Sequence, residues 1–454
     1  MNDVKKLQQE RTENINAVYD NKIPKRVPID VSLGLDIVAE YAKIDRKEAL
    51  WNPTLLEPAA NELCERIPSD TCVYGLKVHM PNYYQALGSK NCIMSSNGFM
   101  QHPNTVGLLE SEYEDFIRNP YDCIIEKVLP RNYKELDFNL QPARSMFTIS
   151  QAMSAMQSNM GHTFGLIAQL SQKFGYPMGE PGTGGGCYAP LDIMTDNLRS
   201  FSGMCSDIRR MPEKVLEAVE AIYPLNYKAG IPPRITNYGA AFFPLHMATF
   251  MREKDFEKLW WPTWKRQVTD YASLGLHSGA FCEHDWMRYL DYLQDLPTDT
   301  RLMFEYGDAK IIKEKLGKKF ILMGLFPLST LTNCTKQECV DKTKEFIDIM
   351  APGGKFIFSF DKSPLVFSDI NIENLIAVCE TVRDYGVYDN AGQTAGLQFN
   401  KDDYTHSKIV PFESKYYRTW DQYKELNPET PESAKNTVIG YEDSIVNFIY
   451  NLCM

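Results

Sequence analysis

Apolar residues in the second half of the chain occur as short β-branched runs separated by longer stretches with helical spacing. The short runs predict strands, and the longer stretches predict helices. Predicted strands are 234–238, 277–283, 301–306, 319–325 and 355–360. Predicted helices are Pro212–Ile222, Glu253–Leu274, Ala309–Leu316 and Lys336–Met350. Strands that alternate with helices of this length favour parallel βαβ units.

The first half of the chain predicts two more strands and a helical addition. The strands are 27–33 and 71–76, and helix is expected over the first twenty-odd residues and within 140–180. Residues 90–110 predict a β-hairpin with its turn at Ser96-Asn97-Gly98. The pattern predicts one domain over residues 1–454, with a core at about 25–386 and a C-terminal extension over 387–454.

Composition narrows the functional classes. The net charge of -11 argues against a nucleic-acid partner, because phosphate binding needs clustered Lys and Arg. No apolar run approaches the roughly 20 residues that span a bilayer, and the charged N-terminus lacks a signal-peptide core. The 11 scattered cysteines are typical of reduced thiols. A soluble cytoplasmic protein without a membrane partner is therefore expected.

Several collinear segments resemble the uroporphyrinogen decarboxylase-like superfamily. They are Ala189–Met204, Cys205–Val215, Pro244–His246, Phe256–Pro262, Phe281–Glu283, Phe304–Asp308, Lys315–Gly324, Gly353–Phe360 and the first strand at Val27–Asp30. The resemblance implies a (β/α)8 TIM barrel, here with an N-terminal helical and hairpin elaboration.

Two residue patterns that this sequence lacks distinguish between the branches of that superfamily. The decarboxylases carry arginines just after the first strand, whereas this chain has Ser32-Leu-Gly-Leu-Asp36 there. The thiol methylators carry a His-x-Cys and a later Cys that hold zinc, whereas this chain has Phe304-Glu-Tyr306 and Ser359. What remains resembles the branch that passes a methyl group from a small donor to the Co(I) corrinoid (cobalamin) of a partner protein.

Within that branch, the aryl methyl ether demethylases are closest, partly through Glu126–Arg131. The resemblance thus implies an O-demethylase methyltransferase with a small methyl donor, a corrinoid protein as partner, zinc as a candidate ion, and a homo-oligomer as one option. Two alternatives stay open: a decarboxylase of a tetrapyrrole, and a non-catalytic barrel that binds a small molecule or the corrinoid partner.

Barrel enzymes carry their chemistry at the C-terminal ends of the strands. Glu283 is predicted as the acid that assists the leaving oxygen or as a metal ligand, with a structural carboxylate as the alternative. His246 is predicted as a second metal ligand, and a satisfied core histidine is the alternative. Asp308 and Tyr306 are further catalytic candidates. If the strand is regular, Glu283 faces the pocket and its neighbours Cys282 and His284 do not.

Aromatic side chains near the predicted strand ends suit a flat methoxyaryl ring. The predicted substrate-binding residues are Tyr238, Phe242, Phe243, Trp286 and Asn237. The glycine run 182–186 lacks the features of a nucleotide-binding loop and is predicted to be a flexible lid or a loop of close approach.

Overall fold

The computed structural model describes residues 2–453 and contains two sheets. The strands are β1 (Ile93–Met94), β2 (Met100–Gln101), β3 (Gly184–Gly186), β4 (Ala240–Leu245), β5 (Ser278–Asp285), β6 (Arg301–Tyr306) and β7 (Ile321–Gly324). Strands β1 and β2 form the antiparallel hairpin expected from the sequence. Strands β3 to β7 form a five-stranded parallel sheet in chain order. The α/β class is therefore confirmed.

Isolated parallel bridges extend this sheet beyond β7. Phe356 pairs with Leu322, Phe358 with Ile29, and Leu33 with Tyr74. The predicted strands 355–360, 27–33 and 71–76 thus lie side by side, although only single bridges mark them. Within residues 2–453 no bridge joins Tyr74 to β3. A closed eight-stranded barrel therefore stays a prediction.

Helices surround the sheet and form the N- and C-terminal additions. Helices of six or more residues are Asn2–Tyr19, Leu35–Tyr41, Arg46–Trp51, Glu57–Arg66, Pro81–Leu87, Tyr113–Arg118, Pro142–Phe174, Phe201–Arg210, Pro212–Gly230, Trp261–Ser273, Ala309–Leu316, Lys336–Met350, Ile372–Tyr385, Trp420–Leu426 and Lys435–Cys453. Turns of π-helix lie at 124–128, 194–199 and 256–260. No helix within residues 2–453 is long and apolar enough to cross a membrane.

The predicted strand 234–238 is wrong, since β4 begins six residues later at Ala240. Pro244 lies inside β4 and lacks an N–H group, which makes the run Ala-Ala-Phe-Phe-Pro-Leu look unlike a central strand. The consequence is that residues 237 and 238 precede β4 and lie at its amino end.

The glycine run is not a lid. Gly184–Gly186 is β3 and pairs in parallel with Ala240–Phe242 of β4. A side chain at Gly185 would collide with the backbone carbonyl of Gly230, at the end of the helix Pro212–Gly230. Close approach of strand and helix therefore accounts for this glycine, as the second of the two sequence interpretations expected.

The two faces of the sheet differ in burial. On the outer face, Phe243 of β4 is fully buried and packs edge-on against Trp264 of the helix Trp261–Ser273. On the inner face, strand pairing places Pro244, Phe281, Met303 and Met323 in one row across β4 to β7. Side chains of that row are only partly buried. The inner face is therefore an accessible apolar floor, which we call the inner row.

Candidate functional site

His246 directly follows β4 and its imidazole lies between two carboxylates. Nδ1 is 2.8 Å from Asp196 Oδ2, and Nε2 is 2.6 Å from Glu283 Oε2 near the carboxyl end of β5. Asp196 belongs to the π-helical turn Met194–Arg199. Because the two carboxylates take opposite ring nitrogens, His246 bridges them and all three groups hold one another in position.

This arrangement determines the charge of His246. Burial by itself would lower the pKa of the imidazole, but hydrogen bonds to Asp196 and Glu283 and their negative charges outweigh it and raise the pKa to about 11. The ring is therefore an imidazolium at neutral pH. Its side chain is 39% exposed, so a bound molecule can reach the ring.

A buried acid lies behind the imidazole. Asp192 is fully buried and its carboxylate accepts hydrogen bonds from the indole N–H of Trp260 at 2.7 Å and from the backbone N–H of His246 at 3.0 Å. Burial, followed by the charge of Asp196, raises the pKa of Asp192 to about 7, against the effect of those hydrogen bonds. Asp192 thereby fixes the chain at the point where β4 ends.

A second polar group lies at the ends of β5 and β6. Glu305 accepts a hydrogen bond from the backbone N–H of His284 at 2.8 Å and one from Lys362 Nζ at 3.1 Å. Burial opposes ionisation, but these hydrogen bonds and the charge of Lys362 hold the pKa of Glu305 below its usual value. His284 Nε2 is 3.8 Å from Glu283 Oε1, so this group adjoins the His246 bridge.

The sequence expectation for Cys282, Glu283 and His284 assumed a regular strand, but β5 is irregular after Cys282. The pairing of β5 with β6 shifts between Cys282 and Asp285, and His284 has a left-handed φ of 62°. Cys282 is fully buried, as expected for the neighbour of an inward-facing Glu283. The bulge, however, turns His284 toward Glu283 and Glu305, where a regular strand would have turned it away.

An open pocket of about 600 Å³ adjoins the bridge. Its lining includes His246, Asp196, Phe201, Tyr188, His79 and His102. Phe201 and Phe250 meet edge-on at 5.1 Å and are 44% and 55% exposed, respectively. A pocket of this size accepts a small organic ligand.

Glu283 and His246 are brought together as the sequence anticipated, but Asp308 and Tyr306 differ from expectation. The Asp308 carboxylate accepts the backbone N–H of Ile311 at 3.0 Å and caps the helix Ala309–Leu316, which is a structural role. Tyr306 ends β6 with 64% exposure. Its ring is therefore available to a ligand.

Two aromatic residues that were predicted to bind the substrate lie in the core. Phe243 is fully buried on the outer face of β4, because side chains alternate along a strand and its neighbour Phe242 faces inward. Trp286 is also fully buried, and its indole N–H donates to the carbonyl of Glu283 at 2.9 Å. Trp286 therefore supports the bulge and is not part of the pocket wall. Phe242, 48% exposed, remains available to a ligand.

Asn237 and Tyr238 lie at the opposite end of the sheet from Glu283, since they precede β4. Asn237 Nδ2 donates to the carbonyl of Tyr19 at 3.0 Å, and Asn237 Oδ1 lies 2.9 Å from His277 Nε2. Tyr238 O–H donates to Asp20 at 3.4 Å. Both residues therefore anchor the end of the first helix, away from Glu283, and their binding of a substrate stays a prediction.

Sequence reasoning missed Asp196, although a signal was present. Asp192 and Asp196 are four residues apart, which places both on one helical face. It also missed a cluster of His79, Cys92 and His102, whose ligand atoms all lie within 4.8 Å of one another. That cluster is the only group of three such metal-binding side chains in residues 2–453. The predicted ligands His246 and Glu283 do not converge with Asp196 on one point, because the carboxylates bind opposite sides of the ring.

Comparison of the chain with models of known protein families gives no match, and comparison with curated proteins gives no significant match. Functional inference therefore depends on the geometry of the pocket and the bridge.

Proposed function

We propose that the chain is a (β/α)8-barrel methyltransferase that moves a methyl group from a small donor, by preference an aryl methyl ether, to the Co(I) corrinoid of a partner protein. The observation that carries the proposal is the His246 imidazolium, held by Asp196 and Glu283 at the carboxyl ends of parallel strands and exposed to an open pocket.

The barrel itself is supported by the order of parallel segments. Eight of them follow one another in chain order, and the last, near Phe358, lies beside the first, near Ile29. That order is the one a (β/α)8 barrel requires. Only the seam between Tyr74 and β3 lacks a hydrogen-bonded bridge within the described residues.

Cleavage of an aryl methyl ether leaves an aryl oxide, whose conjugate acid has a pKa of about 10, as for tyrosine. His246 has a pKa of about 11. An imidazolium that is charged at neutral pH can serve as a general acid toward an aryl oxide. Both ring N–H groups are hydrogen-bonded to carboxylates, so the departing oxygen would displace Glu283 and take the Nε2 proton, while Asp196 keeps Nδ1 and the ring in place.

The inner row offers a surface for the aromatic ring. On β5, Phe281 lies two residues before Glu283 and on the same face of the sheet. On β6, Met303 has the same position relative to Glu305. A ring packed on that surface would direct its ether oxygen toward the polar groups at the strand ends. Aromatic and sulfur contacts of this kind favour flat, polarisable ligands.

A Co(I) corrinoid supplies, when bound, the nucleophile that accepts the methyl group. The open pocket of about 600 Å³ that His246 and Asp196 line lies beside the inner row's polar end and does not include Phe281 or Met303 in its lining. This pocket would give the partner protein that carries the larger corrinoid access to His246. Phe201 lines this pocket and exposed Phe250 contacts Phe201, so both are available for that contact. The residues present thus fit a partner-borne corrinoid.

The test measures methyl transfer from a series of methoxyarenes, whose phenols differ in acidity, to Co(I) corrinoid. We expect His246→Gln and Glu283→Gln to lower turnover by roughly 10²-fold, the usual scale for a lost acid. The loss should shrink as the phenol becomes more acidic, because a better leaving group needs less help.

The matched control is His162→Gln, which changes an exposed histidine on the helix Pro142–Phe174 and should leave turnover unchanged. Equal losses across the series would contradict assistance to the leaving oxygen. A folded chain that transfers methyl from none of the donors would favour the non-catalytic alternative.

A further inference from the structure

The hairpin β1–β2 brings a thiol and an imidazole together. Ile93 pairs with Gln101, and Met94 pairs with Met100. Continuing that register by one residue toward the open end places Cys92 opposite His102. Directly opposed residues in an antiparallel pair have Cβ atoms about 4.5–5.5 Å apart on one face. The base of the hairpin therefore presents Cys92 and His102 as neighbours.

His79 completes the group from another segment. It lies just before the helix Pro81–Leu87, which packs against β1. The rings of His79 and His102 meet edge-on with centroids 4.7 Å apart. Ligand atoms of tetrahedral zinc, at bond lengths of about 2.0–2.3 Å, lie roughly 3.3–3.8 Å from one another. Small side-chain rotations would bring the observed separations, all within 4.8 Å, to those values.

A contact from outside the cluster holds the ring of His79 in position. His79 Nδ1 is 2.8 Å from the hydroxyl of Tyr84, a contact that fixes the ring as outer-shell partners do.

Two features work against cation binding, and both can be offset. Burial raises the pKa of Cys92 to about 12, although Tyr84 and Lys77 lower it, so the thiol must lose its proton to the solvent when an ion binds. The Lys77 ammonium also repels a cation, but it is paired with Asp36 at 2.5 Å. The thiolate charge formed on binding further compensates for Lys77.

The location of the cluster suggests its role. His79 and His102 line the same pocket as His246 and Asp196. Three protein ligands leave the fourth position of a tetrahedral ion open, and a zinc site of that kind is characteristic of catalysis. A closed structural site would have a fourth protein ligand and would not face a pocket.

We propose that His79, Cys92 and His102 bind one Zn²⁺ ion with an open coordination position that faces the pocket. An ion there would act as a Lewis acid on an oxygen atom bound in the pocket. The binding of zinc does not depend on the methyl transfer proposed above, and it can be tested without donor or corrinoid.

The experiment titrates metal-stripped protein with Zn²⁺ against a chromophoric chelator and with Co²⁺ as a spectroscopic probe. We expect one Zn²⁺ per chain and a thiolate-to-cobalt charge-transfer band in the near ultraviolet. Cys92→Ser should abolish the band, and His102→Gln should raise the Zn²⁺ Kd by more than about tenfold. Cys205→Ser is the matched control, a partly buried thiol outside the cluster that should change neither result.

His102 is exposed, so His102→Gln should fold even if Cys92→Ser does not. If the wild-type protein binds Zn²⁺ no more tightly than His102→Gln does, the proposed site is wrong. Loss of the metal in His246→Gln would instead place the ion at the residues first predicted from the sequence. Azide should change the visible Co²⁺ spectrum if a coordination position is open, and an unchanged spectrum would overturn that part of the proposal.

Discussion

At the scale of residues, one imidazole links two elements that meet only through tertiary structure. His246 follows β4, Glu283 belongs to β5, and Asp196 comes from a π-helical turn that precedes both in the sequence. Because the partners stabilise the charged ring, part of the folding energy is coupled to its protonation. The pKa of His246 is raised above its unfolded value, so this contribution is complete below about pH 6.5 and is lost as the pH rises toward 11.

Replacing Asp196 by Asn should lower the pKa of His246, since one of the two negative charges is removed. A fall of about one to three units is the usual effect of a single adjacent charge. Titration of the ring by NMR measures this directly. Asp255→Asn is the control, since that carboxylate pairs with Arg252 away from the bridge. An unchanged pKa in Asp196→Asn would show that Asp196 does not hold the proton.

Asp308→Ala distinguishes a cap from a catalytic acid. Loss of the bond from Asp308 to the N–H of Ile311 should cost about 1 kcal/mol in the free energy of unfolding. Turnover in the methyl-transfer assay should stay within about twofold of wild type. Denaturant unfolding and the assay are measured together, and a large loss of turnover at unchanged stability would restore the catalytic role first expected from the sequence.

At the scale of elements, sequence periodicity was most informative where local and long-range preferences agree. The strand Arg301–Tyr306 and the helices Ala309–Leu316 and Lys336–Met350 have the predicted bounds. β4 was missed because Pro244 makes its sequence look unlike a central strand. Only pairing with the neighbouring strands places these residues in the sheet. Glu283 could be found because it lies at the end of a predicted strand, and His246 because the segment Pro244–His246 resembles the superfamily. The predicted hairpin opposes Cys92 and His102, but His79 joins them from another segment, which no local pattern reveals.

Gly185→Ala tests how closely β3 packs on the helix Pro212–Gly230. The added methyl group would overlap the carbonyl of Gly230, so we expect a loss of about 1–3 kcal/mol or more in the free energy of unfolding. Gly184→Ala and Gly186→Ala are matched controls, because a Cβ at either position meets nothing within 4 Å. Those variants should be neutral or slightly stabilising. Chemical denaturation gives all three values, and equal effects would contradict the close approach.

At the scale of the whole molecule, the C-terminal extension is packed against the sheet. Phe399 contacts His277, just before β5, with ring centroids 4.5 Å apart. Tyr450 donates a hydrogen bond to Asn226, and Tyr133 donates one to the carbonyl of Leu452 at 2.5 Å. Residues beyond 387 thus contribute to the core.

His277 should make the folded state sensitive to acid. Burial, followed by the charges of Arg301 and Lys355, lowers the pKa of His277 to about 3. The unfolded chain therefore takes up this proton first, and stability is lost as the pH falls from about 6.5 toward 3. In His277→Gln the decline of unfolding free energy over that range should be flatter.

Urea unfolding at a series of pH values measures the slope. His162→Gln, which changes an exposed histidine, should retain the slope of the wild type. Parallel curves for wild type and His277→Gln would contradict this origin of the acid sensitivity, whatever the absolute stability of the variant.

The pairing of Ile29 with Phe358 has a consequence for synthesis on the ribosome. A bacterial or eukaryotic ribosome adds about 5–20 residues per second, so the N-terminal segment waits roughly 15–65 s before its neighbour exists. Throughout that time its apolar residues Val27, Ile29 and Val31, all buried in the finished molecule, must be shielded by nascent helices or by a chaperone. Asn21 also lacks its partner during this time, because its side chain donates a hydrogen bond to the carbonyl of Gly396. The first part of the chain to be made is thus among the last to reach its final neighbours.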